Sequence, residues 1–399
     1  MNESPRVYDR IIEQHLRDNR QMIFVSGPRQ VGKTTTCRRN ADFYLNWDIL
    51  ENQRKILKGP QTLAAELKLD ETHAKPSLVV FDELHKYPKW KNFLKGFFDG
   101  YGDKSKVIVT GSSRLDIFRK GGDSLMGRYF LYRMHPFSVA EVARTTLSAS
   151  PIAPPAPIEE TDWNALWTHG GFPEPFLKRN NAFTRRWRAL RGQQLTREDM
   201  REVTQIQELG AMEVLIHVLG ERSSEQVVYS NLAREVNVSV DTISRWLGLL
   251  ERMHFGFLVR PWFKSVANSL RKEPKWFLRD WSGIVDDGQR AETFVGCHLL
   301  KAVEGWTDRG LGDFSLHYLR TKQKQEVDFL VVRDGKPWML VEVKYADRSL
   351  SPSLRIFHEK LKTAHAFQVV VDLPFEAVDC FSETRPVVVP ARTFLSQLV

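Results

Sequence analysis

In the first part of the chain, short apolar runs alternate with amphipathic stretches. MIFVS (22–26), FYLNW (43–47), LVVF (78–81) and VIVT (107–110) have the length and apolar content of buried strands, and helical patterns lie between several of them. Continuous apolar runs mark strands covered on both faces, so the pattern predicts a parallel α/β sheet. The rhythm then breaks at LSASPIAPPAPIEETD (147–162), whose Pro, Ala and Ser content predicts an extended linker or surface excursion. Residues 163–215 follow a helical pattern with Arg-rich stretches such as RRWRALR (185–191). From about 225 to 262 the order is short helix, turn, longer helix, then β-prone residues. Beyond a Trp- and Lys-rich connector, residues from about 288 onward follow the order helix, hairpin, helix, strand. No internal repeat interrupts this sequence of blocks.

The strand MIFVS leads directly into GPRQVGKT, Gly27 to Thr34, which matches G-x-x-x-x-G-K-[ST] and opens a helical segment. This is the pattern of a phosphate-binding loop. Its backbone N–H groups, from Gly27, Pro28, Arg29, Gln30, Val31, Gly32, Lys33, Thr34 and Thr35 as far as each residue has one, curl round an anion at a helix start. Lys33 would reach the β- and γ-phosphates of ATP, and Thr34 would place its hydroxyl on Mg²⁺. The strand LVVF ends in Asp82 and Glu83. Asp82 would sit beside the metal's water shell, and Glu83 would polarise the attacking water. A third strand ends in VTGSS (109–113), so Ser112 or Ser113 could sense the γ-phosphate or hold the lytic water; a simple turn is the competing reading. Arg128, after Gly127, is a candidate arginine finger in cis or from a neighbouring subunit, with Arg133 the alternative and a plain surface arginine the third reading.

Within EQVVYSNLAREVNVSVDTISRWLGLLERMHFGFLVRPW (225–262), Ser230 is expected to cap a first helix and Ser239 a second. Val240, Ile243, Leu247 and Leu250 form one expected buried stripe, and Asp241, Thr242, Ser244 and Arg245 the opposite face. The form is that of a winged helix-turn-helix, in which Thr242, Ser244 and Arg245 would contact DNA. Winged helices also dock proteins, and that reading stays open. The connector FKSVANSLRKEPKWFLRDW (263–281) adds Lys264, Arg271, Lys272 and Lys275 for phosphates and Trp276 for stacking.

Near the end, EVDFLVVRDGKPWMLVEVK (326–344) carries Asp334-Gly335 between two β-prone runs, a strong hairpin signal. Alternation places Glu342 and Lys344 on one face, with Asp328 across from them. Two carboxylates bind Mg²⁺ or Mn²⁺, which activates water, and a lysine steadies the developing charge; Asp328, Glu342 and Lys344 are thus a candidate phosphodiester-cutting set. Glu292, on the preceding helical segment, could add a metal ligand. A solvated hairpin without a site, or a nuclease fold that no longer cuts, accounts for the same residues.

GPRQVGKTT, VVFDELHK, VTGSS, GRYFLYRMHPFS and GGFPEP together resemble a bacterial and archaeal AAA-type ATPase family with a C-terminal restriction-endonuclease-like domain. The hairpin set, Asp328 followed by Glu342-Val343-Lys344, is similar to the restriction-endonuclease and Holliday-junction-resolvase core, with Val327 where proline often stands. The resemblance implies a multidomain α/β protein. Residues 1–146 would form an AAA-type P-loop core, 147–162 a linker or excursion, 163–215 a helical lid, 216–265 a winged helix, 266–287 a basic connector and 288–399 a restriction-endonuclease-like domain.

Composition narrows the partners. The chain has 58 Lys and Arg against 49 Asp and Glu, a net charge of +9, which favours a polyanion. Cys37, Cys297 and Cys380 offer neither zinc spacing nor an even disulfide set, as expected of a reducing cytoplasm. The start MNESPRVYDR has no apolar run of signal-peptide type, and no stretch approaches the ~18 apolar residues that cross a bilayer. The expectation is a cytoplasmic, ATP-hydrolysing homo-oligomer, a hexamer among the candidates, that processes branched or single-stranded DNA. Its rival is a nucleotide-controlled switch with a docking module. A kinase-like phosphotransferase is disfavoured because no acceptor site follows the core.

Overall fold

Met22–Ser26 (β1) is buried along its whole length and stands inside a five-stranded sheet. The structure is a computed structural model that describes residues 5–71, 75–111, 125–194, 209–263, 273–321, 323 and 325–398. The chain divides into two compact units, one of residues 1–135 and 145–147, the other of residues 136–144 and 148–399.

In the first unit, β1 is joined by Phe43–Asn46 (β2), Ser77–Asp82 (β3), Ser105–Thr110 (β4) and Tyr129–Arg133 (β5), in the order β2-β3-β4-β1-β5. All four pairings are parallel, as the apolar runs predict. The register aligns Asn46 with Asp82, Asp82 with Thr110, and Ser26 with Arg133, so the strands deliver their C-terminal ends to one edge. Alternation splits the strand side chains between two layers. Phe24, Phe81 and Val109 pack with Ile56, Leu63, Phe93 and Phe97 of the helices Leu50–Leu57 (α3), Pro60–Glu66 (α4) and Trp90–Tyr101 (α5). Ile23, Val25, Val80 and Ile108 pack with Tyr8, Ile11 and Ile12 of Val7–Asp18 (α1) and with Cys37 of Lys33–Arg38 (α2). Strand β5 has no counterpart in the sequence reading, because its half-exposed edge position gives it only a weak apolar run.

The second unit begins with the helices Val139–Ala143 (α6), Glu160–His169 (α7), Pro173–Lys178 (α8), Asn181–Gln194 (α9) and Leu209–Glu221 (α10). The Pro/Ala-rich segment between α6 and α7 is pinned along its own unit: Ala153 N–H donates to Gln397 O at 3.0 Å, and Gln397 Nε2 donates back to Ala153 O at 3.1 Å. Next come Tyr229–Val236 (α11) and Val240–Arg252 (α12), then the antiparallel strands Gly256–Pro261 (β6) and Lys275–Leu278 (β7). Ser239 caps α12 as expected, its Oγ accepting from Thr242 N–H at 3.1 Å. Ser230 does not cap α11: the cap position is Val228, and Ser230 lies inside the helix. Val240 is 46% exposed, and Trp246 and Leu249 complete the buried face of α12 beside Ile243, Leu247 and Leu250.

The long helix Asp287–Asp308 (α13), capped by Asp286, covers a seven-stranded sheet of order β12-β11-β10-β9-β8-β6-β7. Its further strands are Phe314–Arg320 (β8), Glu326–Arg333 (β9), Lys336–Lys344 (β10), His365–Val370 (β11) and Val387–Pro390 (β12), with helices Pro352–Leu361 (α14) and Ala391–Ser396 (α15). Asp334 (φ 49°) and Gly335 (φ 75°) both turn left-handed, which is the hairpin that Asp-Gly predicts between β9 and β10. Strands β8 and β12 go beyond the helix–hairpin–helix–strand expectation. Trp276, expected to stack on bases, is fully buried against Phe255. A side chain of that size stabilises through burial far more than it could at a surface.

Candidate functional site

The phosphate loop follows β1 at the sheet's C-terminal edge. Gly27 has φ 146°, and a Cβ there would lie 2.2 Å from Met134 O, so only glycine fits between the loop and the end of β5. Gly32 (φ 99°) then turns the chain into α2. Lys33 is buried, and its Nζ donates to Gly27 O at 2.9 Å and Pro28 O at 2.8 Å. Burial pushes its ammonium down to about 8, with Glu83 and Asp82 pulling the other way. A phosphate would add negative charge beside this buried ammonium, in the same sense as Glu83 and Asp82.

Asp82 ends β3 almost fully buried, with both carboxylate oxygens engaged. Oδ1 accepts from the Thr110 hydroxyl; Oδ2 accepts from Thr34 Oγ1 at 2.9 Å and from the Tyr44 hydroxyl at 2.5 Å. The expected pair Thr34 and Asp82 therefore meets, and these oxygens fit the shell of a hard cation such as Mg²⁺. Thr110 and Tyr44 were not singled out by sequence; their signal is only their position at the ends of β4 and β2, on the edge where Asp82 emerges. Tyr44 keeps its proton, because burial and the neighbouring Asp82 both push its pKa up.

Glu83 follows with φ 54°, a left-handed backbone that is costly for a residue with a Cβ and typical of functional positions. Burial raises its carboxyl, against the pull of Lys33 and Lys86. His85 Nε2 lies 3.6 Å from Glu83 Oε2. A carboxylate raised towards neutrality is suited to take a proton from water. Arg29 is half-buried, while Gln30, Thr34 and Thr35 are exposed and Val31 is buried. Arg6, absent from the sequence reading, braces the loop: its guanidinium donates to Val31 O and to His135 O, both at 2.7 Å.

Ser112 and Ser113 lie outside the described residues. Arg128 forms a paired contact with Asp99, 2.8 and 3.0 Å, and its carbonyl accepts from Met22 N–H at the N-terminal end of β1. It thus sits at the sheet edge away from its own loop, which removes the finger role in cis. Arg133 is aligned with Ser26, at the end of the sheet where the loop begins.

In the second unit, Asp328, Glu342 and Lys344 do come together. Asp328 Oδ2 accepts from Val343 N–H at 2.8 Å, and Lys344 Nζ donates to Glu342 Oε1 at 2.8 Å. Burial and then Asp328 raise the Glu342 carboxyl to about 7, and its buried Oε2 has no partner among the described residues. Glu292 lies near Asp328, but Lys275 Nζ stands between them: it donates to Glu292 Oε1 at 2.8 Å, and burial followed by Asp328 pushes the Glu292 carboxyl up. Lys275, expected on DNA, is buried and also pairs with Glu326 at 2.5 Å and Asp328 at 3.5 Å. Burial alone would lower its pKa, but these carboxylates raise it, so it stays charged. Among the described residues no three His, Cys, Asp or Glu side chains are placed to hold a metal ion. The Mg²⁺ or Mn²⁺ expected on Asp328, Glu342 and Glu292 therefore does not fit this arrangement.

Of the expected DNA contacts, Ser244 and Arg245 are exposed on α12, whereas Thr242 is half-buried and bonded to Ser239 at 2.9 Å. Lys272, with Lys264 and Arg271, lies outside the described residues. No helix among the described residues is long and apolar enough to cross a membrane.

Residues 19–143 match a family model described as an AAA domain, which agrees with the parallel sheet and loop just described. This part of the chain is an AAA-type P-loop domain. Residues 160–285 and 287–391 match two further models, each described as a domain of unknown function (DUF8612 and DUF4143). An uncharacterized protein of Mycobacterium bovis and one of Mycobacterium tuberculosis are each 24% identical over 365 residues, 84% of this chain and 73% of theirs. Among solved structures, AMPPCP-bound DnaA from Aquifex aeolicus matches at 12% identity and TM-score 0.30, covering 60% of this chain and 86% of that one. A STAND protein with a tetratricopeptide repeat sensor from Pyrococcus horikoshii matches at 14% and 0.24, covering 76% and 47%. Scores this low fix neither fold nor activity.

Proposed function

We propose that the chain hydrolyses ATP and uses that cycle to act on structured DNA. The observation that supports the ATPase half is the meeting of Lys33, Thr34, Asp82 and Glu83 at one sheet edge, with Asp82 held by three hydroxyls. Lys33 would bind the β- and γ-phosphates, Glu83 would accept the proton of the attacking water, and Asp82 with Thr34 would hold the metal's shell. Bound Mg²⁺ would neutralise charge on the phosphates. Replacing Lys33 by Ala should reduce ATP turnover by a hundredfold or more while leaving DNA binding intact; turnover that survives would sink this assignment.

The DNA half rests on the helix-turn-helix and ribbon order of α11, α12, β6 and β7, the exposed Ser244 and Arg245, and the net charge of +9. In this reading the second unit combines a winged helix with a nuclease-like sheet. Forked or single-stranded DNA should raise the ATPase rate, and Arg245→Ala should weaken DNA binding several-fold without changing basal turnover. A rate indifferent to every DNA form would favour the rival, a nucleotide-controlled switch whose second unit docks a partner. Lys275 among the carboxylates favours a second unit that does not cut, so strand cleavage is left out of the proposal.

A further inference from the structure

Divalent ions in nuclease sites sit between carboxylates whose oxygens are left open to the metal. In this chain the space between Glu292, Glu326 and Asp328 is taken by an ammonium. The Lys275 side chain is only 5% exposed, with Nζ 2.8 Å from Glu292 Oε1, 2.5 Å from Glu326 Oε1 and 3.5 Å from Asp328 Oδ1. A lysine ammonium has three N–H donors, and three carboxylates surround it here. The other oxygen of Asp328 is occupied by Val343 N–H and Glu342 Oε1 by Lys344, so of these two carboxylates only Glu342 Oε2 is left open, one oxygen where a divalent ion takes several. Strand β7 is held on both sides of the lysine. Val227 N–H donates to Pro274 O at 2.8 Å, Trp276 N–H donates to Glu225 O at 2.9 Å, and the Trp276 ring is fully buried. Withdrawing Lys275 would also take from half-buried Glu292 its ion-pair partner at 2.8 Å, a loss that proteins tolerate poorly.

We propose that Lys275 is a resident cation standing in the place of a divalent ion, so that the Asp328–Glu342–Lys344 set is held by the protein itself, takes no metal and cuts no phosphodiester. A single positive charge cannot acidify a water molecule as a divalent ion does, so the lysine supplies cohesion and no hydrolytic step. The inference rests on the nuclease-like reading of the second unit and is independent of ATP hydrolysis.

The test uses the full chain without nucleotide, with Mn²⁺ as probe. Electron paramagnetic resonance should detect no Mn²⁺ whose binding depends on Asp328 in the wild type. Lys275→Met, which keeps the aliphatic stem, should gain one Mn²⁺ per chain at least tenfold tighter than any wild-type binding, and Asp328→Asn should remove that gain. Wild-type Mn²⁺ binding lost in Asp328→Asn overturns the proposal, as does a folded Lys275→Met variant that gains none. Should Lys275→Met not fold, the wild-type melting temperature decides. Equal values in EDTA and in Mn²⁺ support the resident cation, and an Asp328-dependent rise in Mn²⁺ overturns it. Incubation of each protein with branched DNA separates the two readings. A Lys275→Met protein that binds Mn²⁺ without cutting leaves the proposal standing and counts against the nuclease-like reading.

Discussion

Tyr44 and Lys33 show how much of this site is decided by single side chains. The Tyr44 hydroxyl shares Asp82 Oδ2 with Thr34, and Asn46 Nδ2 donates to that hydroxyl at 3.2 Å. A hydrogen bond to a charged acceptor contributes about 1.5–3 kcal/mol net, so Tyr44→Phe is expected to weaken Mg²⁺-dependent nucleotide binding roughly tenfold. Titration with a fluorescent nucleotide, with and without Mg²⁺, reads the effect; an equal loss without Mg²⁺ would place Tyr44 on the nucleotide instead. For Lys33 the sign follows from burial. Its folded value of about 8 lies below the ordinary 10.5, so between those values the unfolded chain holds more protons. Relative to Lys33→Met, nucleotide-free wild type should gain stability as pH rises through that window, on the order of 3 kcal/mol at most, and show no such trend below it. Urea unfolding at stepped pH values checks this, and a falling difference would contradict it.

At the scale of elements, the apolar runs made β1 to β4 legible, and Asp334-Gly335 made the β9–β10 hairpin legible, because each signal is local. Strand β5 escaped because, among the described residues, no strand pairs with its outer side, so its burial is partial and its pattern weak. Val240 was misplaced for a related reason: it shares the stripe's spacing but sits at the first turn of α12, beyond the reach of the core. Gly296 illustrates packing that no local pattern announces. In mid-helix, Gly→Ala is ordinarily favourable by up to about 1 kcal/mol. Here a Cβ would lie 2.8 Å from the Phe329 ring, so Gly296→Ala should reverse that sign and destabilise by about 1–3 kcal/mol. Thermal unfolding of the variant measures it, and a raised midpoint would show that α13 can shift off β9.

For the whole molecule, two compact units predict two calorimetric transitions, with ATP and Mg²⁺ raising one of them and Lys33→Ala abolishing the rise. Arg128, at the far edge of its own sheet, can meet a phosphate loop only in another copy. Mixing Arg128→Ala chains with Lys33→Ala chains should therefore restore ATP turnover above either variant alone. No recovery would leave Arg128 paired with Asp99 and without a part in turnover. The phosphate loop, Asp82, Glu83 and the parallel sheet could be read from sequence because their chemistry is written in contiguous residues, each strand delivering its own ligand. The Asp328, Glu342 and Lys344 set was legible for the same reason, being carried by one hairpin. What we propose for the set turns on Lys275, more than fifty residues upstream, which sequence alone assigns to DNA along with its basic neighbours. Only the pairing of β7 with β6 and the packing of α13 turned that lysine inward. A residue's type and neighbours determine its charge, but whether that charge faces water or three half-buried carboxylates depends on chain segments that meet only in the folded protein.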